Sequence, residues 1–137
     1  MLKPKIVLAG LATALLSSAA IAGFVQPAPV IVDTTARTAT GDQVTARYSK
    51  NDVEFIGCGI RTTRTGAGIF TFGFCQASDA AGTAILCSTE DAELLDAISS
   101  SAAFSFITFS WNAADECTRI GFSNQSFYLP KKLDSNN

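Results

Sequence analysis

Histidine is the most informative absence, because the chain of 137 residues contains none. Nucleophilic catalysis by a Ser–His or Cys–His pair needs an imidazole base and is therefore excluded. The sequence also lacks a G-x-S-x-G elbow, an S-x-x-K pair and a C-x-x-C motif, and its cysteine spacing resembles no zinc site. We expect no catalytic residue, no cofactor and no metal ligand, and we predict that the protein is not an enzyme.

Charged residues are also scarce. They make up only 16% of the chain, with 10 basic and 12 acidic side chains. Binding to nucleic acid requires a basic stripe that neutralises phosphates, and this composition offers none. A polybasic surface for anionic membranes is lacking for the same reason. We therefore expect no nucleic-acid partner.

Long apolar runs are lacking except at the N-terminus. There Lys3 and Lys5 precede an apolar stretch over residues 6–22 that ends in Ala-Ile-Ala. A positive start, an apolar centre and a small-x-small end predict a signal peptide over residues 1–22 that is cleaved on export. A transmembrane anchor is disfavoured, because the stretch has the minimum spanning length and contains glycine, serine and threonine. We expect no transmembrane segment after cleavage.

Four cysteines are present, and export would place them in an oxidising compartment where disulfides persist. We therefore predict that the protein is secreted or periplasmic and that all four cysteines form disulfides. Four cysteines allow three pairings, and symmetry about the predicted turns supports both Cys58–Cys75 and the incompatible Cys75–Cys87. We favour Cys58–Cys75 together with Cys87–Cys117.

The ten phenylalanines lie mostly in short segments of alternating or β-branched residues separated by turn residues. Strands are predicted at 44–48, 102–111 and 125–129, among others. One helix is predicted after residue 88, with Ser88 or Thr89 as its N-cap. Together these patterns predict a mainly β fold: a small antiparallel β-sandwich or barrel of about seven strands with one short helix, stapled by disulfides.

By its composition the chain divides into four parts. Residues 1–22 are the predicted signal peptide. Residues 23–41, with two prolines that lack an amide proton, are predicted as an extended N-terminal arm or an edge strand. Residues 42–130 are predicted as a single β-rich domain, and residues 131–137 as a flexible tail.

One segment has the composition of a presenting loop, with two guanidinium groups and three hydroxyls that suit a carboxylate, sulfate or sugar. The candidate binding residues, predicted on the hairpin loop that ends at Gly68, are Arg61, Thr62, Thr63, Arg64 and Thr65. The alternating aromatic side chains that follow the loop are predicted to form the main core stripe, and they are Phe70, Phe72 and Phe74.

The expected function is that of an exported, non-enzymatic β-domain, a binding or structural module of the cell envelope or extracellular space whose partner is a protein or a glycan. One alternative is a secreted protease inhibitor that presents the loop from Arg61 to Gly68. A second is a small glycan hydrolase that uses carboxylates, for which Glu90, Asp91, Glu93 and Asp96 form the densest acidic group. Their spacing also suits the first turn and solvent face of a helix. A third is assembly through the N-terminal arm by strand addition.

Overall fold

The computed structural model describes residues 23–130 of the chain, so the predicted signal peptide and the predicted tail lie outside the described residues. The described residues form a mainly β structure with seven strands in two antiparallel sheets, as the sequence predicted. The strands in chain order are β1 (Ile31–Asp33), β2 (Thr38–Asp42), β3 (Phe55–Thr65), β4 (Gly68–Ser78), β5 (Ala84–Thr89), β6 (Phe106–Trp111) and β7 (Cys117–Ser123).

The first sheet has the order β1-β2-β6-β7. Strand β6 alternates strictly between buried and half-buried residues, as expected of a strand with one face in the core. Ile107 and Phe109 are almost completely buried, and Ala39 of β2 is buried beside Phe109 in the strand register. The second sheet has the order β3-β4-β5 and contributes Ile56, Cys75, Ala77 and Cys87 to the same core.

The disulfides are Cys58–Cys75 and Cys87–Cys117, which confirms the favoured pairing. Cys75 lies opposite Cys58 on one side and opposite Cys87 on the other, so strand register alone permits either bond. The proximity of Cys117 decides between them, because the start of β7 runs beside β5. There the Ser88 N–H donates to the Asp115 carbonyl at 3.1 Å. The Cys87–Cys117 bond thus joins the two sheets.

Residues 23–130 contain two short α-helices rather than the one predicted: α1 (Gln43–Arg47) and α2 (Ala92–Ser99). The strand predicted at 44–48 is therefore wrong. The Asp42 carboxylate accepts the Thr45 N–H at 2.7 Å, and this N-cap starts a helix in a segment whose apolar spacing fits either structure. Asp42 is itself buried and also accepts the Ala28 N–H at 2.7 Å.

Two further local predictions differ from the structure. The N-cap of α2 is Asp91, because β5 continues through Thr89. The segment predicted as a strand at 125–129 contains a single 3₁₀ turn over Ser126–Tyr128, closed by the Tyr128 N–H to the Gln125 carbonyl at 3.0 Å. The strand count nevertheless agrees because β1 and β2 lie in the N-terminal part of the chain.

Residues 23–30 are extended and run beside the end of β2. The Asp42 N–H donates to the Ala28 carbonyl at 2.8 Å, and the Val30 N–H donates to the Glu54 carboxylate at 2.8 Å. Strand β1 then pairs with β2 of the same chain at the edge of the first sheet. Within residues 23–130, no helix has the length and apolar character needed to cross a bilayer.

Candidate functional site

A two-stranded hairpin extends beyond the second sheet. Strands β3 and β4 pair over 11 residues each, whereas β5 has only 6 residues and its pairing with β4 ends at Gly73. Residues 61–72, here called the arm, therefore lack a third strand. Every residue from Arg61 to Phe70 is exposed, although successive side chains point to opposite faces. The arm is thus uncovered on both faces.

The five candidate residues from Arg61 to Thr65 lie in β3, so the prediction that they form a loop is wrong. The register continues to the Thr65–Gly68 pair, and only two residues connect the strands. Threonine is β-branched and favours strands, and the Thr62 and Thr71 hydroxyls are hydrogen-bonded across the pair at 3.1 Å. Gly68 follows the turn with a φ of 132°, a conformation suited to glycine.

The aromatic side chains of β4 point away from the core, so the predicted core stripe is also wrong. Phe70, Phe72 and Phe74 form a row on the outer face of the second sheet, with ring centroids 5.7 and 6.3 Å apart. The alternate residues of β4 point to the opposite face, where Cys75 and Ala77 are completely inaccessible to solvent. Because side chains alternate along a strand, a core position for Cys75 places all three rings outside.

Arg61 is held at the base of the arm by an aromatic contact. Its guanidinium carbon lies 5.0 Å from the centroid of the Phe74 ring, within the range of a cation–π interaction. The same ring covers Gly59, where an added Cβ would come within 2.9 Å of the Phe74 ring. The neighbouring Gly57 has open space above it, with no heavy atom within 4 Å of its ideal Cβ position.

The outer edge of β3 is a second uncovered feature. The Cα atoms of Cys58 and Cys75 are 4.0 Å apart, the close approach typical of a non-hydrogen-bonded antiparallel pair. In such a pair the N–H and C=O groups of each residue point away from the partner strand. The backbone groups that point away from β4 therefore belong to Ile56, Cys58, Ile60, Thr62 and Arg64.

The hydrogen bonds of β5 support this assignment independently. The outward N–H of Ser88 bonds to Asp115, so Ser88 and its partner Phe74 form a non-hydrogen-bonded pair. Cys75, which follows Phe74 in β4, must then direct its backbone groups toward β5 and away from Cys58. Among residues 23–130, none of the five outward N–H groups of β3 has a hydrogen-bond partner. The sequence does not reveal this edge, because no composition pattern marks which strand of a sheet is outermost.

A cleft of about 470 Å³ adjoins the start of the β3 edge. It lies between α1 and β3, and Ala46, Arg47, Phe55 and Ile56 contribute to its wall. The β3 edge therefore begins beside α1, where Ile56 is buried, and is exposed from Arg61 onward.

Of the four carboxylates considered for a glycan hydrolase, Asp91 has a structural role. Asp91 caps α2 and accepts the N–H groups of Glu93 and Leu94, both at 3.0 Å. Glu90 and Asp91 share a cleft of about 480 Å³ with Glu116, which accepts the Asn112 amide at 2.7 Å. No three His, Cys, Asp or Glu side chains within residues 23–130 are grouped so that they could hold a metal ion.

No protein-family model matches this chain, and no curated protein or solved structure matches it significantly.

Proposed function

We propose that the protein is an exported, non-enzymatic binding module that engages a partner protein through the arm. The single observation that carries this proposal is the arm itself, a ribbon with two uncovered faces and an unpaired edge. The two disulfides accord with an oxidising environment outside the cytosol.

The exposed apolar side chains of the arm support an interaction role. Ile69 is 62% exposed and Phe70 is 46% exposed, and they point to opposite faces of the ribbon. Neither side chain contributes to the core, whose buried members lie elsewhere in the chain. Apolar groups concentrated on a projecting element are typical of surfaces that are covered when a partner binds.

A protein is favoured over a glycan as the partner because of the β3 edge. Its outward N–H and C=O groups alternate at the spacing of a strand, and another polypeptide backbone satisfies such a row in register. Natural edge strands are usually covered or shortened to prevent this pairing. The 11-residue β3 is long by comparison with the 3-residue edge strand β1.

Site-specific photocrosslinking tests the proposal. A benzophenone amino acid placed at Phe70 should give a discrete adduct with the exported proteins of the source cells, whereas the exposed control positions Thr34 and Ala81 should not. Excess unlabelled wild-type protein should compete with the adduct, and a variant carrying Ile69→Glu and Phe70→Glu should not compete. Equal adducts from all three positions would refute a role for the arm. An adduct that resists protease would identify a glycan instead.

A second candidate function is protease inhibition. The Cys58–Cys75 bond braces the base of the arm, and the arm exposes Arg61 and Arg64, which are side chains that trypsin-like proteases accept. Inhibition of such a protease should then disappear on replacing both arginines by alanine. Equal inhibition by the wild-type and doubly substituted proteins would exclude this role.

A further inference from the structure

We infer that the arm's partner contributes an extended acidic segment that pairs antiparallel with the edge of β3. This inference rests on the proposed function and specifies the chemistry of the partner. The segment would become a fourth strand of the second sheet, next to β3. Its backbone would bond to the outward groups of Cys58, Ile60, Thr62 and Arg64.

The charge distribution indicates an acidic segment. Residues 55–78, which comprise β3, β4 and their turn, contain two arginines and no acidic residue, although acidic residues outnumber basic ones in the whole chain. Arg61 and Arg64 are three positions apart and therefore point to opposite faces of β3. Cross-strand partners of opposite charge stabilise a sheet, so the segment should carry acidic residues three positions apart.

The same charges disfavour a second copy of this chain as the occupant. Two β3 strands paired about a twofold axis would bring four arginines together without a single acidic side chain from either arm. Like charges on adjacent strands are destabilising, and cations on an edge strand are a common protection against self-pairing.

Gly57 provides a second element of specificity. It lies on the same face of β3 as Arg61, four residues earlier, and the space above it is open. Phe55 lies on the same face and is 43% exposed. In an antiparallel pairing, an aromatic residue four positions after the acidic partner of Arg61 would cover Gly57 and contact Phe55. Cross-strand aromatic side chains commonly cover glycines in this way.

A ten-residue synthetic peptide tests these positions. It carries glutamate at its third and sixth positions and phenylalanine at its tenth, with threonine or valine elsewhere. Antiparallel pairing places the two glutamates opposite Arg64 and Arg61 and the phenylalanine opposite Gly57. Binding is measured by fluorescence anisotropy with the mature, disulfide-bonded protein. The peptide with lysines in place of both glutamates and the peptide of reversed sequence serve as comparisons.

We expect binding of the glutamate peptide to weaken at least about tenfold when Arg61→Glu and Arg64→Glu are combined, because two attractive pairs become repulsive. The doubly substituted protein should bind the lysine peptide better than the wild type does. The reversed peptide should bind more weakly, since its phenylalanine no longer reaches Gly57. Tighter binding of the reversed peptide would overturn the antiparallel orientation.

Backbone pairing has its own test, which side-chain effects cannot imitate. The amides at peptide positions five and seven face Thr62 and Ile60 and should bond to β3, whereas those at positions four and eight point away. N-methylation of peptide positions five and seven should abolish binding. N-methylation of positions four and eight should change the dissociation constant by less than about threefold. Equal effects of the two methylated peptides would refute strand addition.

A matched pair of protein variants completes the experiment. Thr62→Pro removes an outward N–H without removing a hydrogen bond to β4, so it should abolish peptide binding. Thr62→Val loses the hydroxyl bond to Thr71 but keeps the N–H, and it should bind like the wild type. If Phe70 crosslinks to a partner but no peptide binds, the arm's function survives and the acidic strand is refuted. A dimer of the wild type that Thr62→Pro dissociates would show that a second copy occupies the edge.

Discussion

Substitution of Gly73 by alanine should destabilise the protein, because α2 packs directly on this glycine. An ideal Cβ at Gly73 would lie 2.7 Å from Ile98 Cδ1 and 3.0 Å from Leu95 Cδ2. A third atom, Thr89 Cγ2, would be 3.3 Å away. Ile98 is only 5% exposed, so its displacement disturbs the core rather than a free side chain.

The expected magnitude follows from two opposing effects. Overpacking a core position costs typically about 1–3 kcal/mol. Alanine in place of a strand glycine recovers about 0.5–1 kcal/mol of conformational entropy. The free energy of unfolding of Gly73→Ala should therefore fall by about 1 kcal/mol, within limits of about 0 and 2.5 kcal/mol. Gly73→Val places two more methyl groups than alanine in the same crowded space and should lower the free energy of unfolding further.

Gly57→Ala is the matched control, since it lies in the same sheet and its Cβ would meet nothing within 4 Å. This variant should be neutral or more stable than the wild type by up to about 1 kcal/mol. Urea unfolding of the oxidised wild type and the three oxidised variants, followed by circular dichroism, gives the free energies of unfolding. If Gly73→Ala is as stable as Gly57→Ala, then α2 does not pack on β4 as described.

Three further predictions concern the Cys87–Cys117 disulfide, the N-cap of α1 and the aromatic row on the outer face of β4. Replacing Cys87 and Cys117 together by serine should lower the free energy of unfolding by about 3–4 kcal/mol, because this bond closes a separation of 30 residues and joins the sheets; an unchanged urea midpoint would contradict it. Asp42→Ala should cost about 2–3 kcal/mol in the same assay, since it removes a helix cap and leaves the Ala28 amide without its acceptor; a loss below about 0.5 kcal/mol would refute both roles. Phe70→Ser should lower the free energy of unfolding by no more than about 1.5 kcal/mol, whereas Phe109→Ala should lower it by about 3–5 kcal/mol; similar losses for the two variants would place Phe70 in the core.

Part of the fold follows from local pattern. The alternation in β6 and the acidic residues near the start of α2 are strong signals. Strand β6 forms within the predicted segment 102–111, and α2 forms after residue 88, although its N-cap is Asp91. Segment 44–48 shows the limit of such patterns. Val44 and Tyr48 are two strand repeats apart, but they are also one helical turn apart, so five residues do not distinguish the two structures. The Asp42 cap, which is oriented by packing against residue 28, selects the helix.

The candidate site was only partly predictable. Composition marked Arg61 and Arg64 as candidate binding residues, and that role stays a prediction. Threonine and glycine are common in both loops and hairpin strands, and the loop assignment was wrong. Pairing with β4 over the full length of β3 extends the strands to the turn. The uncovered edge of β3 depends on which strands neighbour it in space, and no local pattern encodes that arrangement.

Strand periodicity and the even number of cysteines were enough to predict a disulfide-stapled β fold, because side-chain alternation and thiol chemistry are local properties. Tertiary structure alone decided which side of β4 is the inside and which cysteine bonds to Cys75. An alternating sequence is symmetric between its two faces, and that symmetry is broken only when the other sheet packs against one of them. Here the cysteine-bearing face is buried, and the aromatic row is left on the outside together with the unpaired edge of β3.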